Sequence, residues 1–333
     1  MKDLINDILR LLIKIALHGY FNKIIVLGKE NIPQGKPIIL VSNHQNALLD
    51  PLLLATQTSL NPYFLARASV FTNPIVAKLL NYIRMLPVYR VRDGFGTITQ
   101  NQYTFEQTNT VLSKNGTVII FAEGNHSIIR NVRPLSKGFT RMAFGLKEKY
   151  PESEPLILPV GFDYSCHLKS GGIVILRIGK PVAVDMPSSQ SGKLTKQVEN
   201  ALKDLVVTIP EENYEQVLET LIKNKVNLTS KVDVANFLTT GIVSNPVEEV
   251  SGLRNKLMKI FHFPLYWVWL WKKRTVQDHV FSSTWKFLIG LVFAVFWYFG
   301  LIWMSFRTPI GSWAFSFLIL GWITLWFNKN PQE

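Results

Sequence analysis

Two uncharged apolar runs near the C-terminus constrain the fold more than any other feature of the sequence. Phe287 to Phe306 is 20 residues long without a charge, and Ile310 to Phe327 adds 18 more. A helix needs roughly 20 apolar residues to cross the hydrocarbon layer, where no water satisfies open backbone groups. The pair is therefore expected to form a transmembrane hairpin over 281–329, turning at Arg307, Thr308 and Pro309. A pair that dips in without crossing is the alternative, and the shorter second run fits it. Lys272, Lys273, Arg274 and Lys286 precede the runs and Lys329 follows them, so both ends are expected on the cytoplasmic side. The aromatic segment Phe261–Trp271, within 256–280, is too short to span and is read as an interfacial belt broken by Pro264. A helix packed on the preceding domain is the other reading.

A net charge of +13 draws a chain toward polyanions, either nucleic acid or an anionic membrane. With 47% hydrophobic residues, nine Trp and 21 Phe, the membrane is the better match, and no nucleic-acid partner is expected. The single cysteine, Cys166, cannot form an internal disulfide. Next to His167 but without further Cys/His clustering, it is read as structural, and no metal is expected. Residues 1–20 place Asp3, Asp7, Arg10 and Lys14 at helical spacing, with Leu4, Ile8, Leu11, Leu12 and Ile15 elsewhere on the helix. From Leu4 to Leu17 such a helix is about 21 Å long, short of a crossing, and is expected to lie in the membrane interface. A helix covering the domain's own core is equally consistent with the pattern.

Between these ends, 24–27, 38–42, 117–121, 156–160 and 173–178 read as short buried strands, and 73–83, 100–114 and 138–147 carry helical apolar spacing. The alternation predicts an α/β domain over 21–185 with a mostly parallel sheet flanked by helices. In such sheets the ligand site gathers beyond the carboxyl ends of the strands. Residues 186–255 read as an accessory helical region that follows a linker at 188–192.

The polar clusters fall at those strand ends. Val41-Ser-Asn-His-Gln-Asn-Ala-Leu-Leu-Asp-Pro-Leu52 puts His44 just after a strand and Asp50 at the start of an apolar helix. An alcohol is a poor nucleophile until a base removes its proton, and an imidazole oriented by a carboxylate suits that role near neutral pH. On a continuous helix six positions turn about 600°, which points the two side chains apart, so a turn must lie between them if they meet. Leu86-Pro-Val-Tyr-Arg-Val-Arg92 places two arginines after an extended stretch, Phe121-Ala-Glu-Gly-Asn-His-Ser127 follows a strand, and Ile157-Leu-Pro-Val-Gly161 ends another. No Gly-x-Ser-x-Gly elbow is present, which argues against a serine hydrolase.

In order and spacing these four blocks resemble those of the glycerolipid acyltransferase family, which includes bacterial lysophosphatidic acid and glycerol-3-phosphate acyltransferases. The resemblance covers roughly 35–182. It implies that His44 is the general base and Asp50 its orienting acid. Arg90, with Arg92 near it, matches the arginine of the second block, which contributes to acceptor phosphate binding. Glu123 and Gly124 match the acid and glycine of the third block. Pro159 matches the proline of the fourth, usually near the acyl chain, and Lys137-Gly138 resembles a basic-glycine pair that follows the third. Two departures stand out: five residues instead of four separate His44 from Asp50, and the usual Glu-Gly-Thr-Arg-Ser is here Glu-Gly-Asn-His-Ser. With Asn125 and His126 in the third block, phosphate binding is expected to pass to Arg130 or Arg133. Both departures are similar to a branch of fungal-type enzymes acylating glycerol-3-phosphate or dihydroxyacetone phosphate. The implied activity is a membrane-bound O-acyl transfer from acyl-CoA or acyl-carrier protein, on the cytoplasmic side of the cytoplasmic membrane, without a cofactor. A different lyso-lipid acceptor, such as an aminolipid, or a non-catalytic lipid-binding protein are the rival readings.

Overall fold

The computed structural model describes residues 2–89, 101–247 and 252–326. Its centre is a sheet of β1 (Lys23–Leu27), β2 (Ile38–Ser42), β3 (Tyr63–Arg67), β4 (Met85–Val88), β5 (Thr117–Ile120), β6 (Leu156–Tyr164) and β7 (Ile173–Ile178). They lie in the order β1-β7-β6-β2-β5-β3-β4, and the short β8 (Val182–Ala183) pairs with β6. β6 is antiparallel to β7 and β8, and the other pairings are parallel. The mostly parallel sheet expected from the sequence is present.

The continuous apolar strands are explained by cover on both faces. Ile39 and Val41 of β2 join Val118, Ile120 and Ile157 in one core. That core is closed by Phe139, Met142 and Leu146 of α5 (Gly138–Lys149) and by Leu194, Val198 and Leu202 of α6 (Ser191–Leu205). Ile38 and Leu40 point the other way, into a core with Ile119, Leu158 and Phe162. There they meet Leu17 of α1 (Lys2–Tyr20), Leu49, Leu53 and Leu54 of α2 (Leu49–Gln57), and Phe287. Two further helices, α3 (Pro74–Tyr82) and α4 (Asn101–Leu112), follow β3 and precede β5. α6 shares the sheet's own core, and the segment expected to be a linker, 188–192, is a turn over Ser188–Gln190 followed by the first residues of that helix. A separate small core lies under α7 (Tyr214–Lys223) and α8 (Lys231–Thr240).

Helix α1 carries its polar groups inward at two places. Arg10 donates to the carbonyls of Ala55 and Leu60 at 2.9 and 2.8 Å, and Asn6 donates to Tyr82 O at 3.3 Å. Apart from Leu17 and Tyr20 near its end, most of its large apolar side chains turn away from the domain, with Leu11 at 59% and Ile15 at 61% exposure. The C-terminal elements are α9 (Gly252–Phe261), α10 (Phe263–Lys273), α11 (Phe281–Arg307) and α12 (Gly311–Trp326). Pro264 sits in the first turn of α10, where a missing N–H costs nothing, and so begins this helix instead of breaking it. α11 and α12 pack together as an apolar hairpin. Among the described residues α11 alone is long and apolar enough to cross a membrane; it begins six residues before the uncharged run and takes in Lys286.

Candidate active site

The site forms where β2 and β5 end. The two strands pair in parallel with Val41 opposite Ile120, so His44 and Glu123 leave the sheet at one edge. Asn43 prolongs the β2–β6 pairing with its side chain, donating to Phe162 O at 3.0 Å and accepting from Phe162 N–H at 2.8 Å. The chain then turns sharply: Ala47 adopts φ 27°, and Leu49 N–H closes on Asn46 O at 2.7 Å as α2 begins. That turn absorbs the spacing a continuous helix could not, and returns Asp50 toward His44.

Asp50 is fully buried, and donors surround its carboxylate. Oδ2 accepts from the backbone N–H groups of Gln45 at 2.9 Å and Asn46 at 2.8 Å, and lies 2.8 Å from His44 Nδ1. Oδ1 accepts from the Tyr164 hydroxyl at the end of β6. Burial first, and the Asp50 charge second, push the Tyr164 phenol well above its usual range, so it stays protonated and donates. A carboxylate oxygen already holding two N–H donors acts as an acceptor toward the ring, which puts the imidazole proton on Nδ1 and leaves a lone pair on Nε2. The ring stacks on Phe121 at 3.9 Å and keeps 15% of its side chain exposed.

Glu123 holds the two loops together. It accepts from His44 N–H at 3.3 Å, Arg133 N–H at 3.1 Å and Arg133 Nη2 at 2.5 Å. Burial pushes its carboxyl above the ordinary value, and Arg133 opposes that shift. Ser127 N–H adds a bond to His44 O at 2.9 Å. Gly124 takes φ 78° in this turn, the left-handed region that favours glycine, and its N–H closes on Phe121 O at 3.1 Å. Arg133 also donates to the side chain and carbonyl of Asn125, yet its side chain remains 24% exposed. His126 lies edge-on to His44 at 5.8 Å.

Other residues singled out in the sequence sit elsewhere. Arg130 is 1% exposed and points inward, donating to Tyr164 O and lying 3.5 Å from His167 Nδ1; the structure places it in the interior, not at a surface that receives phosphate. Pro159 is buried mid-strand opposite Val41, and Lys137 is exposed at the start of α5. Arg90 and Arg92 lie outside the described residues. Tyr164 and the segment before α11 join the site without being marked by any sequence motif. Tyr164 had a signal, because β6 continues its alternation to the carboxyl end of the sheet, where ligand sites gather.

The sequence model of a family described as Acyltransferase matches residues 23–163, from β1 to the penultimate residue of β6. Residues 23–163 form an acyltransferase domain. The matched stretch contains His44, Asp50 and Glu123, so the assembled edge of the sheet lies within this acyltransferase domain. No curated protein matches the chain significantly. Among solved structures, the crystal structure of the 1-acyl-sn-glycerophosphate (LPA) acyltransferase PlsC from Thermotoga maritima aligns at 24% identity and a TM-score of 0.45. The alignment covers 61% of this chain and 78% of that chain, a likeness too distant to bear on fold or chemistry.

Proposed function

We propose that this acyltransferase is membrane-bound and works in glycerolipid synthesis, moving an acyl chain from acyl-CoA or acyl-carrier protein to glycerol-3-phosphate or 1-acyl-glycerol-3-phosphate. The observation that carries the reading is the 2.8 Å contact of His44 Nδ1 with the fully buried Asp50, which leaves Nε2 as a base at a partly open site. His44 takes the acceptor's hydroxyl proton as the oxygen–carbon bond forms at the thioester carbonyl. Collapse of the tetrahedral intermediate breaks the carbon–sulfur bond, and the imidazolium returns the proton to the leaving thiolate. No acyl-enzyme is needed. The acceptor phosphate is assigned to the partly exposed Arg133 and His126, with Arg90 and Arg92 as further candidates, because a guanidinium fork binds phosphate oxygens in parallel.

Membrane attachment is assigned to α11 with α12, and the outward leucines and isoleucines of α1 are assigned to the lipid interface. The basic cluster ahead of α11 supports a site on the cytoplasmic side. The test supplies full-length protein in detergent with labelled palmitoyl-CoA or palmitoyl-carrier protein, and with glycerol-3-phosphate or 1-acyl-glycerol-3-phosphate. Label entering a glycerophosphate is the expected result. Release of free fatty acid alone contradicts it and indicates a hydrolase.

A further inference from the structure

The segment entering α11 closes over the catalytic loops. Leu48 N–H donates to Thr284 Oγ1 at 3.4 Å, Ser283 donates to His167 O, and Lys286 donates to Leu168 O. Phe281 stands edge-on to the His126 ring at 4.8 Å. Asp278 precedes this helix. Its Oδ1 accepts Val280 N–H at 3.0 Å, which fixes the carboxylate locally, and its Oδ2 lies 3.4 Å from His126 Nε2. His126 is thus held between an aspartate from the C-terminal third of the chain and the catalytic imidazole.

We infer that Asp278 is a positioning residue of the acyltransferase site: it orients His126 at the mouth of the acceptor pocket, so that the membrane-anchoring unit supplies part of acceptor recognition. The inference rests on the proposed function for the nature of the acceptor, though the pairing itself does not. With Nε2 turned to Asp278, His126 presents Nδ1 to the acceptor, and its ring is fixed by Phe281. Three titratable groups face it: His44 from the β2 loop, Arg133 from the β5 loop and Asp278 from the α11 entry. The first two disfavour its charge and Asp278 favours it, so Asp278 keeps the imidazole protonatable when an anionic acceptor arrives.

The test uses full-length protein in detergent carrying Asp278→Asn, His126→Gln or both. Asparagine keeps an oxygen for Val280 N–H, so the turn into α11 is retained. Asp278→Asn is expected to raise KM for glycerol-3-phosphate about tenfold with little change in kcat, the size of one charge-assisted hydrogen bond. His126→Gln is expected to do the same, and the double variant to add nothing further, since one residue acts through the other. Independent, multiplying losses, or an unchanged KM in Asp278→Asn, overturn the inference. NMR of labelled histidines provides a readout independent of turnover: the His126 pKa is expected to fall by about half a unit or more in Asp278→Asn. An unchanged His126 titration overturns the inference even if glycerol-3-phosphate proves not to be the acceptor; a wild type inactive on glycerophosphates sinks only the substrate assignment.

Discussion

At the residue scale the site is governed by one carboxylate whose two oxygens do different work. Oδ2 of Asp50 orients His44, and Oδ1 is held by Tyr164 from another strand. Tyr164→Phe removes that donor while keeping the ring. Its kcat is expected to fall about tenfold, because a less-restrained carboxylate orients the imidazole less well. An unchanged kcat would reduce Tyr164 to packing. His126 makes a separate prediction. Burial, then the neighbouring His44, lowers its pKa from the ordinary 6.5, so the folded state prefers the neutral ring. Its contribution to stability is complete above pH 6.5 and is lost as pH falls through the lowered value. Melting temperature in detergent should therefore decline below that pH, and less steeply in His126→Gln; parallel curves would contradict this. The sequence exposed the His44–Asp50 pair and the need for a turn between them. It could not separate Arg130 from Arg133, three residues apart and alike in chemistry, because only the fold buries the first and opens the second.

Among the elements, α1 is one whose orientation the sequence left undecided. Its helical spacing fitted both a core cover and an interfacial helix, and the structure divides the roles: Leu17 and Tyr20 close the core, and Leu11 and Ile15 face outward. Arg10 caps two carbonyls at and beyond the end of α2, so Arg10→Ala should destabilise the protein by about 1–3 kcal/mol, the cost of stranding buried acceptors. Leu11→Ser should stay within about 0.5 kcal/mol in detergent. Thermal or denaturant unfolding of the two variants checks the pair, and the reverse ranking would mean that α1 docks the other way round. Strands β2, β5 and β6 were legible because both faces demand apolar side chains. Strand β3, Tyr-Phe-Leu-Ala-Arg, is only partly buried along its length, and so lacked that signal. Helix α6 was legible as a helix but not as part of the sheet's core, since its charged surface conceals the stripe Leu194, Val198 and Leu202.

At the scale of the molecule, the hairpin is rooted in the catalytic domain. Phe287 is buried in the sheet's second core and meets Tyr20 at 5.8 Å, and the turn before α11 reaches His126. A chain cut after residue 280 is therefore expected to lose more than the hairpin. Exposing the core that Phe287 covers should destabilise the domain by about 3–5 kcal/mol, read as a large drop in melting temperature of the truncated protein. A stable, fully active soluble fragment would show that the two parts are independent. Everything else follows from His44 acting as a base on an alcohol, and His44→Ala in the full-length protein tests that claim most directly. With melting temperature as a control for folding, acyl transfer to the acceptor should fall by about 10²- to 10⁴-fold. A folded His44→Ala protein that transfers acyl groups at the wild-type rate would contradict it.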